Sequence, residues 1–274
     1  MSSTQTPLAG AEPKIPQDFL AGPAPANMTC EHIDFANSPV PKYAGMYAVV
    51  LDNVLTPEEC ATLVALAEAR TGGKWERAMI NVGGGKQALM TDERNCGRII
   101  WDDVLITDRI WNRVKGRVPE VLALEGTRWA QTVGPRVLYC NETWCATRLN
   151  ERMRFLKYTG GEYFRPHMDG AYVTPDNKER SFMTFHLYLN DASTTAEGEE
   201  PLEGGATTLH SPDTFMMMDG PEEYKKKGRL DIVPKVGRVL LFQHRNLVHS
   251  GDDVVKGTKI TMRTDLMYRC AGED

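Results

Sequence analysis

Apolar and polar positions change rhythm along this chain of 274 residues. Up to residue 43 there is none. Pro7, Pro13, Pro16, Pro23, Pro25, Pro39 and Pro41 interrupt small and polar residues, and nothing recurs at helix or strand spacing. That texture predicts a disordered, Pro-rich leader over 1–43. Gly45–Asp52 is a short apolar run and reads as a buried strand. Thr56-Pro57-Glu58-Glu59 then opens a helix. Thr56 caps it, Pro57 takes the first helical position, and Glu59 completes a capping box. Cys60, Leu63, Val64 and Ala67 form its apolar stripe, and Gly72-Gly73 ends it. Trp75–Val82 reads as a strand and Val82–Gln87 as a glycine loop. Thr107 is expected to cap a second helix with Ile110, Trp111, Val114 and Val118 inward, and Pro119 to end it.

From residue 149 the period becomes two. Arg154–Tyr158 is one strand. In Ser181–Asn190, Phe185, Leu187 and Leu189 face one way, while Thr184, His186, Tyr188 and Asn190 face the other. Gly204-Gly205 turns into a strand reaching Leu209, a turn at 232–238 feeds the buried run to Phe242, and Gly257-Thr258 opens a last strand over Lys259–Tyr268. Short strands at close spacing with Gly and Pro turns predict a sandwich or barrel. The fold class is therefore mainly β with flanking helices (α+β). Residues 44–148 support a core at 149–274 within one compact domain.

Composition narrows the partners. The chain is 41% hydrophobic and 25% charged, with net charge −5 and pI near 5.8. No basic surplus points to nucleic acid or an anionic membrane. The run Lys225-Lys226-Lys227 sits beside Glu222 and Glu223 and reads as a solvated loop. The six cysteines match no strong zinc spacing, including Cys140 and Cys145, and no segment is apolar enough to span a membrane. The expectation is a cytoplasmic protein with reduced thiols. Lys86 is followed by Gln87, so the glycine loop lacks the hydroxyl a phosphate loop needs.

The chemistry starts at His167-x-Asp169. Two residues apart in a strand lie on one face, so an imidazole and a carboxylate there can share a metal ion. A second His completes a 2-His-1-carboxylate set with open positions, the pattern of non-heme Fe(II) oxygenases. His186, His210, His244 and His249 are available. His249 ends a buried strand before Ser250-Gly251 and is well placed at a barrel mouth. His244 lies five residues earlier, on the opposite face, and reads as packed or hydrogen-bonded. His186 reads as a satisfied core histidine. On the last strand Lys259, Thr261, Arg263 and Asp265 oppose Ile260, Met262 and Leu266. A cation there must be paired, with Asp265 or with a bound carboxylate.

These motifs together resemble the 2-oxoglutarate- and Fe(II)-dependent dioxygenases of the prolyl 4-hydroxylase-like group. The matching residues are Tyr158-x-x-Gly161-x-Tyr163, His167-x-Asp169, Leu187-Tyr188-Leu189-Asn190, Gly204-Gly205-x-Thr207-x-Leu209, Lys235-x-Gly237-x-x-Leu240-x-Phe242, His249-x-Gly251 and Val255-x-Gly257-x-Lys259-x-x-x-Arg263-x-Asp265. The resemblance covers roughly 149–268. It implies a double-stranded β-helix (jelly-roll) core. It implies His167, Asp169 and His249 as iron ligands, and Tyr158 and Tyr188 as 2-oxoglutarate contacts. Either Lys259 or Arg263 would anchor the far carboxylate; Arg263 is the expected choice, as a guanidinium deep in the strand demands the better partner. The family often carries Tyr three residues before the first His; here Phe164 stands there and Tyr163 precedes it.

The resulting expectation is an enzyme using Fe(II), 2-oxoglutarate and O2, helped by ascorbate, that hydroxylates an unactivated C–H bond of a small molecule. An amino acid or a natural-product intermediate would suit. Arg94, Arg98 and Tyr163 are the candidate substrate contacts. Competing readings are a prolyl hydroxylase acting on a protein, a zinc hydrolase with the same ligand set, and a non-catalytic jelly-roll binding protein.

Overall fold

The structure, a computed structural model, describes residues 13–81, 86–213 and 228–272. The expectations placed on residues 1–12, on the loop at 82–85 and on the lysine run Lys225–Lys227 lie outside the described residues. The main strands are β1 (Thr29–His32), β2 (Ala48–Asp52), β3 (Gly97–Asp102), β4 (Arg152–Thr159), β5 (Tyr163–His167), β6 (Arg180–Tyr188), β7 (Thr207–His210), β8 (Arg229–Ile232), β9 (Val239–Gln243), β10 (His249–Gly251) and β11 (Thr258–Cys270). A large antiparallel sheet runs β1-β2-β9-β6-β11-β4-β3, and a smaller one β8-β7-β10-β5. Together they form the jelly roll that the alternating strands predict. Because β2 and β3 hydrogen-bond directly to β9 and β4, the support region and the core share one sheet.

The two faces of β6 explain the layers. Phe185 and Leu187 join Met262 and Leu266 of β11 in a core under two helices, α1 (Pro57–Thr71) and α2 (Val104–Val114). Thr184, His186 and Tyr188 face the small sheet instead. The predicted capping box of α1 is present in full. Glu59 N–H donates to Thr56 Oγ1 at 3.2 Å, and Thr56 N–H donates to Glu59 Oε2 at 2.9 Å. Gly72 closes the helix at φ +60°.

Three expectations need correction. The described part of the leader, from residue 13 on, is folded, because its scattered apolar side chains dock one by one rather than with a period. Phe19, Leu20 and Met28 enter the helix-side core, while Phe35, Val40 and Tyr43 pack with Leu209, Leu240, Phe242 and Leu247 at one end of the barrel. β1 pairs with β2, and the Tyr43 hydroxyl donates to His210 O at 2.5 Å and accepts from Val248 N–H at 3.1 Å. The second helix is capped by Asp103, not Thr107: Asp103 Oδ1 accepts from Ile106 N–H at 2.9 Å, and Thr107 lies inside the first turn. The segment Trp75–Val82 holds two short strands, Glu76–Arg77 and Ile80–Asn81, in place of one.

Gly237 turns the chain into β9 at φ +73°, and a Cβ there would lie 2.1 Å from Leu55 O. Gly237→Ala therefore combines a left-handed backbone penalty with a backbone clash. It is expected to cost about 2 kcal/mol or more, read as a lowered Tm in thermal denaturation.

Candidate functional site

His167 ends β5, Asp169 follows two residues later, and His249 opens β10, which pairs with β5. Pairing places His167 opposite His249. Ligand atoms of His167, Asp169 and His249 all lie within 4.8 Å of one another, and among the described residues they are the one such cluster. His167 Nε2 is 3.7 Å from Asp169 Oδ1, and His249 Nε2 is 3.5 Å from Asp169 Oδ2. The Nδ1 atoms of His167 and His249 face Arg165 O at 2.8 Å and Leu247 O at 3.3 Å. A carbonyl only accepts, so the proton belongs on Nδ1 and each Nε2 offers its lone pair to the centre. The donor set is two imidazoles and one carboxylate with room beside them, which fits Fe(II).

Burial alone would raise the Asp169 carboxyl, but Arg263, His249 and His167 hold it well below the usual carboxylate range. Burial, with His167 beside it, pulls His249 down to about 3. Both groups thus have a metal-ready protonation state near neutral pH. Thr184 Oγ1 donates to Asp169 Oδ2 at 2.5 Å, and Arg263 Nη1 lies 3.0 Å from Oδ1.

A narrow cavity between the sheets runs inward from the three residues. Arg94, Tyr158, Phe164, Thr184, His186, Lys259 and Arg263 line it. Lys259 is 2% exposed, and no carboxylate of the described residues lies within 4.0 Å of its ammonium. The ammonium sits 5.3 Å from the Tyr158 ring centre and 5.8 Å from that of Tyr188. Burial lowers its pKa to about 8.

The two candidate anchors, Arg263 and Lys259, both line the cavity and differ in their pairing. Arg263 already bridges Asp169 and Asp265, the latter at 3.3 Å, and Asp265 is further held by Arg154. Lys259 is the cation left over. Tyr188 does not line the cavity, and its hydroxyl is engaged, donating to Thr207 Oγ1 at 2.7 Å. Tyr158 is buried against the cavity with Arg94 beside its hydroxyl.

The substrate candidates separate. A register shift between Phe164 and His167 puts these two side chains on one face. Phe164 stacks on the His167 ring with centroids 3.6 Å apart, and the Arg94 guanidinium covers Phe164 at 4.5 Å. Tyr163 is half-buried, lies under the Arg165 guanidinium at 3.4 Å, and does not line the cavity. Arg98 is buried on β3 against Gln87 and does not line the cavity. His186 is not the satisfied histidine expected: it lines the cavity and its Nε2 has no hydrogen-bond partner among the described residues. His244, as expected, is packed, 3.5 Å from Asp265 Oδ1. Cys140 and Cys145 are free thiols. Sequence reasoning missed Thr184, although its place on the polar face of β6, two residues from His186, was the available signal.

The 2OG-Fe(II) oxygenase superfamily profile matches residues 153–264, which contain all three converging residues and Lys259. Over that segment the chain is similar to the 2OG-Fe(II) oxygenase superfamily, and the match indicates a 2-oxoglutarate-dependent oxygenase. Enzymes of this superfamily use Fe(II), 2-oxoglutarate and O2, for which the donor set and the buried lysine are chemically suited. Among curated proteins none matches the chain. Similar solved structures include a viral collagen prolyl hydroxylase from Paramecium Bursaria Chlorella virus-1, at 19% identity over 82% of this chain and 97% of that one, TM-score 0.45. A Pseudomonas putida prolyl-4-hydroxylase is 14% identical over 83% and 95%, TM-score 0.47. The α-ketoglutarate-dependent carbocyclase SnoK of nogalamycin biosynthesis is 14% identical over 86% of each chain, TM-score 0.42.

Thr184→Val keeps the shape of the side chain but removes its hydrogen bond to Asp169. The oxygenase should lose about 10- to 100-fold in divalent-metal affinity, measured by metal titration of the apoprotein, with little change in Tm.

Proposed function

We propose that the protein hydroxylates an unactivated C–H bond of a small molecule, with His167, Asp169 and His249 holding Fe(II) and Lys259 anchoring 2-oxoglutarate. One observation carries the anchor: Lys259 is a buried cation without a carboxylate partner among the described residues, facing the same cavity as His167, Asp169 and His249. A buried charge left unpaired is costly, and a bound dicarboxylate removes that cost. A zinc hydrolase or a binding jelly roll would have no need of it.

The chain's residues then divide the work. Asp169 is kept ionised and oriented by Thr184 and Arg263, and the two imidazoles by their backbone carbonyls. Lys259 takes the far carboxylate, with the Tyr158 ring walling the pocket. Phe164 covers one face of His167 and limits water there. When bound, Fe(II) with O2 and 2-oxoglutarate supplies the oxidant: one oxygen atom enters the C–H bond, and the other leaves in succinate as CO2 is released.

Asp169→Ala is expected to abolish succinate formation and the visible charge-transfer band that Fe(II) and 2-oxoglutarate give without oxygen. Lys259→Ala should raise the 2-oxoglutarate requirement by at least tenfold, and by more than Arg263→Ala does. The reverse ranking, or wild-type succinate release by Asp169→Ala, rejects the assignment. Peptides rich in proline in the same assay decide the competing reading of prolyl hydroxylation on a protein.

The anchor also has a pH signature. With a free-protein pKa of about 8, Lys259 is charged below that value and progressively neutral above it. Affinity for 2-oxoglutarate, titrated without oxygen, should be level below about pH 8 and fall roughly tenfold per pH unit above it. The opposite sign holds for folding. The unfolded lysine titrates near 10.4, so between the two values the unfolded chain binds more protons and the ligand-free protein gains stability as pH rises.

A further inference from the structure

A second cavity, of about 340 Å³, lies on the other side of Asp169 from the narrow one. Asp169 is the one residue that lines both. The co-substrate's anchor belongs to the narrow side, so this second cavity is where a molecule can present a C–H bond to the metal. Its wall is apolar at Phe182 and exposed Met168, and basic at Arg180 and Arg245. Both arginines are exposed, and among the described residues neither has a carboxylate within 4.0 Å; Arg180 lies over the Phe182 ring at 5.9 Å.

Two exposed arginines are common on any surface. An independent observation points to a ligand. His244 is 3% exposed and lines this cavity; its Nε2 lies 3.5 Å from Asp265 Oδ1, while its Nδ1 has no hydrogen-bond partner among the described residues. Buried polar atoms are as a rule paired, so a polar partner belongs in this space. Charge favours the same conclusion. Asp169 is the one acid in the wall, already committed to Thr184 and Arg263, and a bound divalent metal would neutralise it further. Nothing in the wall balances Arg180 and Arg245. A volume of about 340 Å³ sits at the small end of ligand pockets, about 300–1,000 Å³.

We propose that the substrate is a compact molecule carrying a carboxylate, held in this cavity with the carboxylate on Arg180 and Arg245, its polar group near His244, and its hydrocarbon part against Phe182 and Met168. The assignment rests on the hydroxylase reading above and narrows its substrate class. A guanidinium pair recognises a carboxylate by charge-assisted, paired hydrogen bonds, and the amide of the same acid loses both charge and half the acceptors.

The test uses the full-length protein and a panel of free amino acids, including L-proline and L-pipecolate, each beside its amide. In the iron-free protein the favoured acids should raise Tm and their amides should not, and R180Q/R245Q should erase that difference. In the Fe(II)- and 2-oxoglutarate-loaded protein, mass detection should find a product gaining one oxygen from an acid but not from its amide. R180Q or R245Q should raise KM for that acid by at least tenfold, with the dissociation constant of 2-oxoglutarate unchanged. The proposal is overturned if no acid is distinguished from its amide in either assay, or if both arginine variants leave KM as in wild type. A charge-transfer band and slow substrate-free succinate release in that case would show the oxygenase reading intact; loss of the band as well would show that reading itself to be at fault.

Discussion

The pairing of β6 with β11 is the constraint on which the rest depends. Two antiparallel strands in register have side chains that alternate together, so both present oil to one side and polar groups to the other. Opposite Arg263 stands His186, and opposite Asp265 stands Thr184. A slip of one residue would put Lys259 and Arg263 among Phe185, Leu187 and the helices. The apolar face of these two strands thus holds the chemistry of the other face in place.

On that polar face charge is shared out economically. Asp169 and Asp265 are both buried, and Arg263 and Arg154 serve them as a chain of alternating signs. A balanced cluster of this kind is expensive to break at any one member, because removal of one leaves another buried and unmatched. It also leaves Lys259 outside the cluster. The distinction between the two cations of β11, which their spacing does not reveal, comes from which acids lie nearby in space.

Much of the arrangement was legible in the sequence because it depends on local period. The capping box at Thr56 and Glu59, the two faces of β6 and β11, and His249 at a strand end all follow from residues a few positions apart. What was not legible depends on distance in sequence. The leader shows no period because Phe19, Met28, Phe35 and Tyr43 each dock into a different place on a surface built by later residues. Tyr163 and Phe164 exchange roles through a bulge, which shifts the register by a residue that alternation assumes is absent. His186 was read as satisfied because buried histidines usually are; its Nε2 instead has no partner among the described residues.

The docking of residues 13–43 also bears on where the folded unit can be cut. Composition marks residue 44 as the natural place to begin a shorter chain. Such a chain would lose Phe35, Val40 and Tyr43 from the end of the barrel and leave Leu209, Phe242 and Leu247 facing water. It would also strip β1 from β2, turning an inner strand into a bare edge. Unpaired backbone groups beside an apolar patch are a template for another copy, so the truncated enzyme would tend to aggregate with its catalytic residues all still present.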